Sequence, residues 1–315
     1  MKLLITGGAG FIGSELIRQL AGSAGFEIAV IDNLSYSGNL MNIKAVESSV
    51  YFKRLDITNR NALNSFLSRH KFDSVINFAA ETHVDNSIRS PQIFLETNIL
   101  GTFYLLEGAR KFGYKFLQVS TDEVYGSIET GEFFEDSKLN PSSPYSASKA
   151  SAEHLVNAYV TTYGVDALGV RCSNNYGPFQ YAEKLIPHFI SKASQGLKVP
   201  VYGNGTNVRE WIHVTDSVKG IIKVLQNGRV GEFYNISSGV FRNNLEVTME
   251  ILKYFGFNEN QIEFVEDRLG HDFRYAINSD KIRKELGWNP KIEFEEGLKS
   301  TIEWYISNPA YLDRR

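Results

Sequence analysis

The chain opens with Lys2-Leu-Leu-Ile-Thr6, a run of strand type, and passes at once into Gly7-Gly8-Ala9-Gly10-Phe11-Ile12-Gly13. The helical pattern Glu15-Leu-Ile-Arg-Gln-Leu20 follows directly. A strand, a glycine-rich turn and a helix in so short a stretch leave few folds open. Gly8, Gly10 and Gly13 fit one spacing, and Gly7, Gly10 and Gly13 another. In either, the missing side chains let the backbone turn tightly and approach a pyrophosphate at a helix N-terminus. A second apolar run, Ile28-Ala-Val-Ile31, ends in Asp32. An acidic residue about 20 positions after the glycines binds a ribose 2′-hydroxyl and repels a 2′-phosphate. The start of the chain therefore predicts dinucleotide binding, with NAD favoured over NADP.

The alternation continues. Strand-like runs lie at Tyr51–Leu55, Ser74–Phe78, Phe116–Ser120 and Ala167–Val170. Helical patterns run through Leu63, Phe66 and Leu67, from Pro91 to about Lys111, and from Tyr145 to Tyr163 before Gly164. Alternation of this kind implies right-handed crossovers and an α/β fold: a Rossmann-type doubly wound parallel sheet with helices on both faces. Ligands then bind beyond the carboxyl ends of the strands. After Arg171 the regularity weakens and loops rich in Asn, Gly and Pro appear, with helices near 183–196, 215–227 and 245–255. The expected division is a dinucleotide-binding domain over 1–171, rejoined by parts of about 207–235, and a smaller α/β lobe over 172–315.

Composition removes several classes. With 315 residues, 43% of them hydrophobic, the chain can bury a full core. A formal charge of −3 and the lack of a basic tract argue against nucleic acid binding. No apolar stretch approaches the roughly 20 residues that span a bilayer. The single cysteine, Cys172, cannot form an intrachain disulfide and suits a reducing compartment. With the first strand at the very start, no signal or transit peptide is expected, and the location read from these features is the cytoplasm. The six histidines show no metal-ligand spacing, so no metal is expected. His83 and His271 are assigned to the cleft, and His70, His154 and His188 to ordinary surface or helix positions.

The chemistry concentrates in two segments. Ser120-Thr121-Asp122-Glu123 ends the run at Phe116, and Tyr145-Ser-Ala-Ser-Lys149 opens a helix. Tyr145 and Lys149, four apart, share one helical face. An ammonium beside a phenol favours the phenolate, which predicts a lowered Tyr145 pKa and a usable base. Asp122 and Glu123 add two carboxyls, fit for opposite roles if their pKa values are driven apart. Thr121-Asp-Glu can also be read as a simple helix cap. No base stands at nucleophile spacing from Ser146, Ser148 or Ser151, which argues against a serine hydrolase.

These segments, with Asn77–Asp85, Val119–Gly126, Arg171–Pro178, Glu183–Pro187, Val208–Trp211 and Asp267–Asp272, carry a resemblance that runs nearly end to end. The chain resembles the extended short-chain dehydrogenase/reductase superfamily and, within it, the bacterial dTDP-glucose 4,6-dehydratases. Two positions depart from the family's pattern: Asn86 stands where arginine is common, and Leu269 where proline is frequent.

The resemblance implies NAD-dependent conversion of dTDP-glucose to dTDP-4-keto-6-deoxyglucose in a homodimer. Tyr145 takes the 4-hydroxyl proton as hydride leaves C4, Thr121 binds the same oxygen, and Lys149 holds the nicotinamide ribose. Glu123 removes the C5 hydrogen, and Asp122 donates a proton to the departing 6-hydroxyl. The implied cofactor contacts are Gly7, Gly10, Phe11, Ile12, Gly13, Asp32, Asn33, Leu34, Ser35, Asp56, Ile57, Ala79, Ala80, Thr97, Tyr145 and Lys149. The implied substrate contacts are Thr82, Thr121, Asp122, Glu123, Asn174, Lys184, Leu185, Pro200, Tyr202, Arg209, Asn244, Arg268 and His271, with Arg209 and Arg268 on the pyrophosphate. The apolar Leu155, Val156 and Tyr159 fit either a dimer interface or the core. A UDP-sugar 4,6-dehydratase, 4-epimerase or decarboxylase on the same fold remains the alternative, although Asp122-Glu123 argues against the last two. A non-catalytic NAD sensor is a further reading, and the intact Thr121, Asp122, Glu123, Tyr145 and Lys149 set speaks against it.

Overall fold

The computed structural model describes residues 1–23 and 25–312, so the last three residues of the 172–315 lobe lie outside the described residues. Its strands are β1 (Lys2–Thr6), β2 (Glu27–Asp32), β3 (Val50–Arg54), β4 (Ser74–Asn77), β5 (Lys115–Thr121), β6 (Ala167–Cys172), β7 (Asn174–Tyr176), β8 (Val199–Tyr202), β9 (Val208–His213), β10 (Phe233–Ile236), β11 (Phe241–Asn243) and β12 (Ile262–Val265). Seven of them form one sheet in the order β10-β6-β5-β4-β1-β2-β3. Every neighbouring pair in it is parallel. Strand order therefore reverses between β1 and β4, and a crevice opens there beyond the strand ends.

Apolar side chains alternate across this sheet as the pleat requires. Leu3, Ile5 and Val30 join Leu16, Ile17, Val218 and Ile221 on one face. Leu4, Ala29 and Val75 join Leu63, Leu105 and Val156 on the other. Burial on both faces is what lets parallel strands read as unbroken apolar runs. Val156 and Tyr159 belong to this second layer, with Leu155 packed at its margin.

The helical pattern from Pro91 is not uniform. Pro91–Phe94 and Thr102–Phe112 are α-helical, but Leu95–Gly101 between them is a π-helix. Asn98 accounts for the wider turn. Its buried side chain accepts from Glu81 N at 2.9 Å and donates to the Glu81 carbonyl at 3.0 Å and to Ser148 Oγ at 2.8 Å. It thereby ties the loop after β4 to the helix Pro144–Tyr163. Single π turns of this kind recur beside functional sites.

Beyond β6 the chain builds a three-stranded sheet, β11-β9-β7, and a parallel pair, β12-β8. They enclose a third core with Ile190, Trp211, Ile251, Leu298 and Ile302. Two helices, Asp280–Leu286 and Phe294–Ser307, lie where the sequence pattern marked none. Buried Asp216 locks this region to the helix Val214–Asn227. Its Oδ2 accepts from Lys291 N at 2.6 Å and Ile292 N at 2.7 Å, and its carbonyl accepts from Trp288 Nε1 at 3.1 Å. Asp216→Ala strands two partly buried N–H groups and removes the acceptor of both. It is expected to lower stability by about 3 kcal/mol, since hydrogen bonds to charged groups contribute roughly 1.5–3 kcal/mol each. Urea denaturation checks this, and a midpoint equal to wild type would show that the segment at Lys291 is held by packing alone.

Candidate active site

The glycine turn lies where β1 meets the helix Phe11–Leu20. Gly7 has φ +67°, and a Cβ there would stand 2.5 Å from Ala79 N; one at Gly13 would stand 2.7 Å from the Gly7 carbonyl. Gly8 points the other way, where a Cβ would meet Val30 Cγ1 at 2.6 Å. Gly7, Gly10 and Gly13 are thus the working set, and Gly8 serves the core. Gly10 caps the helix without a side chain, so the first N–H groups face the crevice. Asp32 closes the far side, its Oδ2 accepting from Ala9 N at 3.0 Å and its Oδ1 from Leu34 N at 2.8 Å. Burial raises the Asp32 carboxyl above its usual range, and these two N–H groups oppose the rise.

One cavity runs along the strand ends. It is lined by Gly7, Gly10, Phe11, Ile12, Gly13, Asp32, Asn33, Ser35, Asp56, Ile57, Ala79, Ala80, Thr97, Tyr145 and Lys149, and reaches Thr82, Thr121, Asp122, Glu123, Asn174 and Lys184. Leu34 departs from expectation. It is absent from this lining, and its backbone N–H is spent on Asp32. A floor without side chains, an open helix N-terminus and a carboxylate at the second strand end together fit a dinucleotide such as NAD.

The reactive groups gather where this cavity turns. Thr121 ends β5, and Asp122–Tyr125 form a 3-10 turn. Thr121 Oγ1 donates to Asp122 Oδ1 at 3.2 Å and accepts from Glu123 N at 3.3 Å. Asp122 is only 2% exposed, and its Oδ2 has no hydrogen-bond partner. Burial, then the Glu123 and Glu210 charges, push its carboxyl well above the usual carboxylate range. Burial raises Glu123 as well, but Arg268, Arg209 and Lys184 oppose it. Two adjacent carboxyls therefore face unlike surroundings, and Asp122 is the one held more strongly toward its protonated form.

Tyr145 corrects the simple reading of its lysine partner. Burial, followed by Glu123 and Asp122, pushes the phenol well above its ordinary value, and the hydrogen bond with Thr121 opposes this. Lys149 is not among those influences. Its ammonium donates instead to the Val119 carbonyl at 2.7 Å. Helical spacing put the two residues on one face but did not foresee a backbone acceptor between helix and strand.

A second cavity, of about 810 Å³, adjoins the first. Its lining includes Thr82, Glu123, Asn174, Lys184, Leu185, Pro200, Tyr202, Arg209, Asn244, Arg268 and His271. The two share Thr82, Glu123, Asn174, Tyr181, Glu183 and Lys184. Arg268 Nε is buried without a partner, as an anion-binding fork requires. Arg209 is more committed than expected: Nη1 donates to the Val208 and Phe273 carbonyls at 2.8 and 3.3 Å, and Nη2 to the Asp272 carbonyl at 2.9 Å. Its guanidinium lies 4.2 Å from the Tyr275 ring centre. It is a fixed charge with little of its fork to spare. Burial and the Arg268 charge lower His271 to about 4, and Asp267 Oδ1 holds its Nδ1 at 2.6 Å.

His83 lines this cavity with His271, and so does His188, which lies on a helix as the sequence allowed but also faces the cleft. Glu81, Tyr181 and Glu183 also line these cavities without having been foreseen. Glu183 leaves Oε1 buried and unpaired. Glu81 and Glu183 stand inside segments that carried the resemblance, so the signal was present without a role attached. Of the two departures, Leu269 is 78% exposed, and Asn86 N donates to His83 Nδ1 at 3.4 Å.

The family model described as GDP-mannose 4,6 dehydratase matches residues 4–301. A dTDP-glucose 4,6-dehydratase of Streptomyces niveus is 46% identical, over 99% of this chain and 94% of that protein. The crystal structure of DesIV, a dTDP-glucose 4,6-dehydratase from Streptomyces venezuelae with NAD and TYD bound, superposes with a TM-score of 0.96 at 44% identity and covers 99% of both chains. A dTDP-glucose 4,6-dehydratase from Bacillus anthracis in complex with NAD gives 0.92 at 46% identity, over 98% of each. The chain belongs to the GDP-mannose 4,6 dehydratase family, and dTDP-glucose 4,6-dehydratases are among the relatives that it matches along nearly its whole length.

Proposed function

We propose that this chain is an NAD-dependent dTDP-glucose 4,6-dehydratase, a carbon–oxygen lyase that forms dTDP-4-keto-6-deoxyglucose. The observation that carries the reading is the unlike pair Asp122 and Glu123, a buried carboxyl with a free oxygen beside one facing three cations, at the junction of two cavities. Residues 1–171, with parts of about 207–235, form the NAD-binding domain, and 172–315 mainly form the nucleotide-sugar lobe. Gly7, Gly10 and Gly13 cradle the pyrophosphate of NAD, and Asp32 takes the adenosine ribose. The bound nicotinamide supplies reversible hydride acceptance, from C4 and back to C6, and a positive charge near Tyr145.

The chain's own groups move the protons. Tyr145 takes the proton of the sugar 4-hydroxyl, with Thr121 hydrogen-bonding the same oxygen and Lys149 on the nicotinamide ribose. The 4-ketone acidifies the C5 hydrogen, and Glu123 removes it. Asp122 gives its proton to the 6-hydroxyl, water leaves across C5 and C6, and C5 is later reprotonated. Arg268 and the fixed charge of Arg209 neutralise the substrate pyrophosphate. Asn174, Lys184, Leu185, Pro200, Tyr202, Asn244, His271 and Thr82 complete the substrate contacts.

Exposed Ile88, Ile93, Leu95 and Leu100 form an apolar margin on the helices beside Pro144–Tyr163, and through it two copies pair as a homodimer. Sedimentation equilibrium is expected to give twice the chain mass; a monomer at micromolar concentration would remove this part. The buried lone thiol of Cys172 suits the reducing cytoplasm as the working compartment.

Purified protein incubated with dTDP-glucose is expected to show loss of one water by mass spectrometry, with UDP-glucose converted far more slowly. No water loss from either nucleotide sugar would sink the proposal. In single turnover, Glu123→Gln is expected to oxidise C4 yet lose exchange of the C5 hydrogen with deuterated water. Asp122→Asn is expected to keep that exchange and to lose the 6-hydroxyl about 10²–10⁴-fold more slowly, the usual cost of removing a general acid. Denatured wild-type protein is expected to release nicotinamide without any having been added. Asp32→Ala is expected to retain less of it and to discriminate less against NADP. Equal retention and discrimination would take Asp32 out of the ribose role.

A further inference from the structure

Behind the candidate active site lies a charge network that the proposed reaction leaves unused. Glu153 follows Lys149 by four residues on the helix Pro144–Tyr163, so the two share a face. Both are buried, Lys149 at 4% exposure and Glu153 at 0%. The only hydrogen bond of the Lys149 ammonium among the described residues goes to an uncharged acceptor, the Val119 carbonyl. Glu153 commits a single oxygen to Arg171 of β6. Its Oε2 accepts from Nε at 2.9 Å and from Nη2 at 2.7 Å. The other oxygen, Oε1, is buried with no hydrogen-bond partner. Arg171 is thus the only cation in contact with this carboxylate among the described residues, and Lys149, one helical turn away on the same face, makes no ion pair with it.

Arg171 extends the network. Its Nη1 donates to the Tyr125 hydroxyl at 2.5 Å and to the Glu135 carbonyl at 2.9 Å. The Tyr125 hydroxyl donates in turn to Asn235 Oδ1 of β10 at 2.9 Å. Tyr125 closes the same 3-10 turn that carries Asp122 and Glu123. One connected set therefore spans the lysine helix, the carboxyl turn and two strands.

We propose that Glu153 is a positioning residue of this site. Clamped by Arg171, it supplies the negative charge that keeps Lys149 an ammonium, and through Arg171 and Tyr125 it fixes the lysine helix against the Asp122–Glu123 turn. This rests on Lys149 being the cation of the proposed active site. The charged and titratable groups around it are few. Its own helix brings Tyr145 and Glu153, and β6 brings Arg171 and Cys172. The turn brings Asp122, Glu123 and Tyr125, whereas Glu107 of the helix Thr102–Phe112 is engaged by Tyr159, further along, and by Arg110. Burial pushes the Lys149 ammonium down to about 8, with Glu153 the larger of the opposing charges. Losing Glu153 lowers that value further, so Lys149 would shed its proton at a lower pH and the alkaline limb of activity would move down with it.

The test reads Lys149 directly. Protein purified with its bound nucleotide and labelled with ¹³Cε-lysine is titrated by NMR, the Lys149 signal being assigned by its loss in Lys149→Arg. Glu153→Gln keeps the shape but not the charge, and is expected to lower the Lys149 midpoint by about 1 unit or more, the size typical of losing a nearby opposite charge. Glu153→Asp keeps the charge and is expected to leave the midpoint near wild type despite its poorer fit. An unmoved midpoint in Glu153→Gln overturns the proposal, as does an equal fall in Glu153→Asp. If Glu153→Gln does not fold, the double variant Glu153→Met with Arg171→Met replaces the pair by apolar side chains of similar reach, an exchange that buried pairs often tolerate. Because that exchange also removes the like charge of Arg171, a smaller fall is expected there, and a midpoint at or above the wild-type value overturns the proposal. The readout is independent of turnover. A chain that fails to dehydrate dTDP-glucose yet shows these shifts would reject the proposed function alone.

Discussion

Seven parallel strands buried on both faces can offer their backbone polarity to a ligand only at their ends, and the order β3-β2-β1-β4 opens those ends into a crevice. Nearly everything chemical in this chain follows from that constraint. The glycine turn comes after β1, Asp32 closes β2, and Thr121 closes β5. Cys172, at the end of β6, lies in register with Thr121. Residues far apart in sequence share one cavity because parallel strands all finish on the same side. The smaller sheets then add a second cavity whose wall the first already half supplies.

Within this frame electrostatics decides the roles. Asp122 and Glu123 are chemically near-identical neighbours, yet burial with a free oxygen holds one strongly toward its protonated form, while three cations oppose the same rise in the other. The same carboxyls hold Tyr145 above its ordinary value, so the phenol and the pair are set against each other. A phenolate there would need further positive charge to offset the Glu123 carboxylate, and a bound cationic nicotinamide would supply it.

Much of the frame was legible in the sequence because it depends on local rules. Unbroken apolar runs marked strands buried on both faces, and Gly7 to Gly13 between strand and helix marked the turn. What escaped depends on contacts across the fold. Two glycine spacings fit equally well until Gly7 was seen against Ala79 and Gly8 against Val30. The wide turn at Leu95–Gly101 answers to Glu81 and Ser148, neither of them in its own segment. Tyr145 and Lys149 stood at the right spacing, but the Val119 carbonyl that takes the ammonium belongs to another element. Arg209 read as a free fork because sequence cannot show three carbonyls converging on one guanidinium.

The free oxygen of Asp122 has a consequence for how such a chain can change. A carboxyl stored in a dry pocket without a full set of partners weakens the folded state, by roughly 1–3 kcal/mol for a buried unsatisfied group. Selection for heat resistance alone would therefore favour an apolar residue at this position, while every strand around it stayed intact. With the role proposed for Asp122, the acid persists only under selection for turnover, and a thermally hardened descendant of this chain would become a binding protein for its own substrate before it lost its shape.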